Sequence, residues 1–159
     1  MVRSNIIINF DIVNKDWSKL EAYGLAYEVI KNILSICEKD DSEITIRFTD
    51  DIEMMALNKK WRKKNSLTNV LAFPNNTKLD LYEQSKHIGD IVLCYNVVKQ
   101  EAKQRNISFS DHMIHLVLHG VLHLCGYDHI RKSDEENMIK HEKLILNGVG
   151  IKDPYINYN

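Results

Sequence analysis

The sequence predicts an α+β fold, a small mixed β-sheet of about four strands packed with helices. Three observations carry this expectation. Four short segments have the branched or alternating apolar character of strands, segments with apolar residues at three- and four-residue steps separate the early ones, and helical patterns fill the chain from Asn96 onward. At 159 residues, with 44% hydrophobic and 27% charged residues, the chain has the size and composition of a single domain spanning 1–159.

Ile6 to Val13 (IIINFDIV) reads as the first strand, largely buried given its branched apolar run. Asp16 or Ser18 can cap a helix in which Leu20, Tyr23, Tyr27, Ile30 and Leu34 share a face and which ends near Cys37. Glu38 to Ser42 forms a turn, and Glu43 to Phe48 alternates polar and apolar as a half-buried strand does. Asp50 or Asp51 caps a second helix with an imperfect apolar stripe, Ile52, Met55, Leu57 and Trp61. Lys59, Lys60, Arg62, Lys63 and Lys64 crowd its end, where the helix dipole favours cations. Asn69 to Phe73 is a short strand stopped by Pro74, and Asn75 to His87, polar and aperiodic, is a long surface loop. Ile88 to Tyr95 is the fourth strand, with Gly89 and Asp90 marking a bulge or bend. A helix over Asn96 to Arg105 follows, then a link in which Ser108 and Ser110 offer caps, then a histidine-bearing helix running to about Leu124. Ser133 and Glu136 form a capping box for a last helix that has Met138, His141 and Ile145 on one side and Gly148 at its end.

Composition narrows the classes of function. A formal net charge of −1 is not that of a polycation, so any nucleic-acid contact has to come from a local patch. Cys37, Cys94 and Cys125 are odd in number and form no CxxC pair, which argues against a disulfide framework or a thiolate zinc cluster and points to the reducing cytoplasm. The N-terminal apolar run is too short and interrupted for a signal peptide, and no run approaches the length that spans a bilayer. A soluble cytoplasmic protein with no membrane partner is expected.

His115 to His129 reads HLVLHGVLHLCGYDH, four histidines in fifteen residues. On a helix His119 and His123 project from one face, roughly 6 Å apart along the axis. Gly126 is placed to end that helix, and the short GYD turn to return His129 to the same point. His112 and His115 share the face, so spacing alone does not choose the ligating pair; nearness to the Gly126 turn selects His119 and His123. Three imidazoles with an open fourth position describe a catalytic zinc site better than a structural one, which four protein ligands usually close. Nickel, copper or iron suit the same donors. His115 is then a support for the ligands, a substrate-facing group or a packed histidine, His112 is expected to be exposed, and Asp128 to have a structural role. The spacing is also that of the metzincin peptidases, HExxHxxGxxH, which makes the expected helix zincin-like. Gly120, however, stands where those enzymes carry their Glu general base, so a peptidase is the least favoured reading.

That string, with Met138 and Glu142 after it, resembles the YbeY family of single-strand-specific metallo-endoribonucleases, the ribosomal RNA maturation factors of bacteria. LNKKWRKKNSLTNVLAFP resembles that family's LNxxyRxxdxpTDVLSFP region and IGDIVLCY its LGDIxIs segment, so the resemblance runs from Leu57 to Gly148. Asn69 replaces the usual Asp and Ala72 the usual Ser, departures that bear on the site wall or on substrate and not on the metal trio. The resemblance implies one zinc ion per chain held by His119, His123 and His129, with Arg62 as the functional arginine. It also implies single-stranded RNA as substrate, 16S ribosomal RNA 3′-end maturation and ribosome quality control as the process, and the small ribosomal subunit as partner. A planar guanidinium such as that of Arg62 offers paired donors to the charge that builds up on a reacting phosphate. Lys59, Lys60, Lys63 and Lys64 either track an RNA backbone or form a solvated face. The nucleophile stays open between a water and the RNA's own 2′-hydroxyl. A second class of function also fits: a ribosome-assembly binding factor whose metal mainly holds the fold, motivated by the missing base at Gly120.

Overall fold

In the computed structural model, which describes residues 4–75, 86–127 and 131–156, four strands form one mixed sheet. β1 (Ile7–Ile12), β2 (Glu43–Thr49), β3 (Val70–Pro74) and β4 (His87–Cys94) lie in the order β1-β2-β4-β3. β1, β2 and β4 are parallel, and β3 runs antiparallel to β4. The accompanying helices are α1 (Tyr23–Ile36), α2 (Asp51–Arg62), α3 (Tyr95–Arg105), α4 (Phe109–Leu124) and α5 (Lys132–Gly148). This is the α+β architecture that the patterning predicts. None of the described helices is long and apolar enough to cross a membrane.

The alternation of side chains along the strands sorts the helices between the two faces of the sheet. Ile44, Ile46 and Phe48 of β2 and Ile91 and Leu93 of β4 point into the main core, which α1 and α4 cover. Val92 and Cys94 of β4 point the other way and pack with Leu71 of β3 and Met54 of α2. α4 is buried on nearly every side, from His112 to Leu118 and again from Gly120 to Leu122. A helix wrapped this way is a rigid support for whatever its last turns carry.

Several local expectations are corrected. β1 is an edge strand, with Ile7 and Ile12 exposed and Ile8 and Phe10 packed on the core. Its outward positions pair with β2, where Asn9 donates to Glu43 and Asp11 joins Arg47. α1 starts later than a cap at Asp16 or Ser18 implies. Asn14 instead caps a 3-10 turn over Lys15–Lys19 that seats Trp17 in the core, where its Nε1–H donates to the Thr49 carbonyl at 2.9 Å. The buried face of α1 is Ala26, Val29, Ile30, Ile33 and Leu34, and Tyr27 is exposed. On α2 the buried residues are Met54 and Asn58, not the expected stripe, because Asn58 turns inward to donate to the Ser66 carbonyl at 2.7 Å and closes the loop after the helix. α5 begins after Arg131, which puts Ser133 inside the first turn and not at a capping box. Its buried stripe is Met138, Glu142 and Leu146. Most of the loop expected over 75–87 lies outside the described residues.

The bulge read from Gly89 is present. Glu43 pairs with His87 but Ile44 pairs with Gly89, so Ile88 is the extra residue. Gly89 has φ 154, and a Cβ there would lie 2.5 Å from the Phe73 carbonyl oxygen and 2.7 Å from Leu124 Cδ2. Only glycine lets β4 pass this close to β3 and to the end of α4.

Candidate functional site

Ser108 starts α4 by accepting the Asp111 N–H at 3.0 Å, and Cys125 ends it, followed by Gly126 at φ 98. Within the last turns His119 and His123 come together as expected. His119 Nδ1–H donates to Glu142 Oε1 at 2.5 Å, and His123 Nδ1–H donates to the Tyr127 carbonyl at 3.1 Å. A carboxylate and a carbonyl only accept, so the neutral rings carry their protons on Nδ1 and present lone pairs at Nε2. The two Nε2 atoms stand 3.1 Å apart. Lone pairs repel at that distance unless a proton or a metal ion lies with them. A tetrahedral ion with Zn–N bonds of about 2.0–2.1 Å separates two nitrogens by about 3.3 Å, so this donor pair fits zinc. His129 and Asp128 lie outside the described residues.

Glu142 is fully buried on the apolar stripe of α5. Burial alone would raise its pKa, but hydrogen bonds from His115, His119 and Tyr155 more than offset this and hold it at about 2. His115 Nε2–H reaches Glu142 Oε2 at 3.2 Å, and the Tyr155 hydroxyl donates to the same oxygen. His115 is therefore buried one turn before His119 and shares its carboxylate. The sequence marked Glu142 only through the family resemblance, without a role, and Tyr155 had no local signal.

His112, expected to be exposed, is completely buried, and its Nε2–H donates to Glu101 Oε2 at 3.0 Å. The reason lies on α3, which supplies a carboxylate where the helices meet. Asn69 donates to the same Glu101 oxygen at 3.1 Å. An aspartate at 69 would face Glu101 with a second negative charge, which the Asn69 amide avoids by donating to it. Burial pushes the Glu101 carboxyl up, and the His112 and Asn69 hydrogen bonds bring it below its ordinary value.

His119 and His123 open onto a cavity of about 750 Å³ between α4, β3 and the end of α2. Arg62, the last residue of α2, lines the same cavity, as do Trp61, Ala72 and Tyr127. Lys63 stops the helix in the left-handed conformation, φ 55, and leaves Arg62 exposed at its tip. Lys59, Lys60, Lys63 and Lys64 are exposed beside it. Trp61 is 60% exposed, with one edge on Phe73 and the Lys60 ammonium 5.0 Å from the ring centre. Gly120 forms part of the cavity wall, backed by Ile91.

The chain is similar to known proteins in sequence and in fold. A sequence model of the family described as Endoribonuclease YbeY matches residues 10–150. The chain is 39% identical over 127 residues to the endoribonuclease YbeY of Vesicomyosocius okutanii, a match covering 80% of this chain and 86% of that one. To the endoribonuclease YbeY of Pseudomonas syringae pathovar tomato it is 44% identical over 115 residues, 72% and 69% of the two chains. To that of Ruthia magnifica it is 36% identical over 138 residues, 87% and 93%. The solution structure of TM1509 from Thermotoga maritima, 24% identical, matches over 90% of this chain and 91% of that one with a TM-score of 0.59, which shows a common fold. By the span of the family match and the level of identity, the chain belongs to the YbeY endoribonuclease family.

Proposed function

We propose that this chain is a zinc-dependent endoribonuclease that cuts single-stranded RNA, with one zinc ion held by His119, His123 and His129 and with Arg62 on the scissile phosphate. The observation that carries this reading is the 3.1 Å approach of the His119 and His123 Nε2 atoms on a cavity that Arg62 also lines. Family membership supports RNA as the substrate. Zinc bound there supplies a Lewis acid for phosphate oxygens and lowers the pKa of water.

The chain's own groups do the rest. Glu142 and the Tyr127 carbonyl keep the imidazole protons on Nδ1, so both Nε2 atoms remain donors toward the ion. Arg62 gives two parallel N–H donors to the phosphate oxygens as their charge grows in the transition state. The lysines around it draw the RNA backbone along the helix end, and the exposed Trp61 ring offers a stacking face to an unpaired base, which a duplex does not present. We read 1–159 as one catalytic domain. As its setting we assign the cytoplasm, 16S ribosomal RNA 3′-end maturation and ribosome quality control, with the small ribosomal subunit as partner; the likeness of the histidine and Arg62 segments to the family supports that assignment.

The test is cleavage of an unstructured RNA and of the same sequence in a duplex, by the wild type and by a His119→Ala, His123→Ala variant purified identically. Cutting of the single strand by the wild type alone supports the reading. Equal cutting by the variant removes it. Subunit binding that survives loss of both histidines, with no cleavage by either protein, favours the assembly-factor reading that the absent base at Gly120 motivates.

A further inference from the structure

The residues after α5 fold back onto the rear of the histidine helix. The Ile151 N–H donates to the Leu146 carbonyl at 2.9 Å, and the Ile151 side chain is buried. Lys143 holds Asp153 at 3.3 Å, and Asp153 Oδ1 in turn accepts the Tyr155 N–H at 2.8 Å. These contacts set the Tyr155 ring edge-on against His115, with centroids 5.5 Å apart at 85°, and the Lys143 ammonium 5.8 Å from the Tyr155 ring centre. The backbone and ring contacts place the Tyr155 hydroxyl 3.3 Å from His115 Nε2 and within reach of a second group. That group is Glu142, to which the hydroxyl donates and whose other oxygen takes the His119 proton.

We propose that Tyr155 is a positioning residue for the metal-binding histidines, acting through Glu142 to hold the ring of His119. The inference rests on the reading of His119 as a zinc ligand. A buried carboxylate needs donors on both oxygens, or it rotates to find them and loses its hold on the group it orients. Glu142 has His119 on Oε1, and His115 with Tyr155 on Oε2. Without the phenolic hydroxyl, Oε2 keeps only the longer bond from His115. The carboxylate then becomes freer to turn and less well neutralised, and the Nδ1–H bond that orients His119 loosens. The family match ends at residue 150, so Tyr155 lies outside the stretch that it covers.

The experiment uses the full chain and Tyr155→Phe, which keeps the ring on His115 and removes only the hydroxyl. Zinc affinity is measured by competition with a chromogenic chelator, and the ligand field by the visible spectrum of the cobalt-substituted protein. Removal of an outer partner of a metal ligand typically costs about 10–100-fold in affinity, so Glu142→Gln should fall in that range and Tyr155→Phe, one bond further out, should weaken zinc binding about three- to tenfold. The cobalt bands should shift, and Tyr155→Phe should have no further effect in the Glu142→Gln background. A wild-type-like zinc affinity and superimposable cobalt spectra for Tyr155→Phe overturn the inference while leaving the zinc site standing, as does a loss that adds in full to that of Glu142→Gln. If the wild type binds no zinc, the site reading and the inference fall together.

Discussion

Gly120 packs so closely on Ile91 of β4 that a Cβ on residue 120 would lie 3.0 Å from Ile91 Cδ1, with two more Ile91 carbons within 3.2 Å. The position at which zinc peptidases carry a glutamate is closed here by the sheet. Gly120→Ala should cost about 1 kcal/mol, since Ile91 can give way by a rotamer shift. Gly120→Glu forces a longer, charged side chain into the same wall and should cost at least about 3 kcal/mol, with no peptidase activity gained. Urea denaturation of the two variants measures both.

Arg62→Ala should lower kcat for RNA cleavage by about 10²–10³-fold, the usual loss when one aligned donor to a developing oxyanion is removed. Arg62→Lys should recover little of this, because an ammonium does not reproduce the paired donors. Zinc stoichiometry should be unchanged in both variants, since Arg62 is exposed at the end of α2 while His119 and His123 are carried by α4. Rates and metal content measured on the same preparations check this.

Trp61→Ala should leave stability within about 0.5 kcal/mol, as expected for a side chain that is mostly in solvent. Stacking of a base on an aromatic ring is worth about 1–3 kcal/mol, so the dissociation constant for a single-stranded oligonucleotide should rise by about five- to 150-fold. Trp61→Tyr should restore most of the affinity. Fluorescence anisotropy with a labelled RNA measures all three proteins.

Glu101 contributes to a pH dependence whose sign follows from its partners. His112 and Asn69 hold its carboxyl below the ordinary value of 4.5, so the folded chain binds that proton less tightly than the unfolded chain. The stabilisation is present above 4.5 and is lost as pH falls through the lower, folded value. The thermal midpoint of the wild type should therefore fall more steeply than that of Glu101→Gln as pH drops below 4.5. Parallel curves for the two proteins would contradict this role.

Legibility in the sequence followed the range of the interactions. The strands, the end of β3 at Pro74 and the bulge before Gly89 were readable, because alternation and turn residues act locally. The histidine pair was readable for the same reason, since a four-residue step on a helix sets its own geometry. β1 was misread as buried because a branched apolar run does not say whether a strand has a neighbour on both sides. His112 was misread because its partner, Glu101, comes from α3, and no spacing on α4 announces it. Glu142 and Tyr155 reach His119 and His115 from α5 and from the residues beyond it, contacts that exist only once the helices have packed. A charge inside an apolar stripe, as at Glu142, is the one trace such a contact leaves in a linear pattern.

The most direct test of the account is to strip the protein of metal and titrate zinc back while following cleavage of an unstructured RNA. The account predicts that the rate rises in proportion to bound zinc and levels off at one equivalent, and that the His119→Ala, His123→Ala variant stays inactive throughout. A metal-free protein that cuts as fast as the zinc-loaded one, or a double-histidine variant that zinc activates equally well, would contradict it.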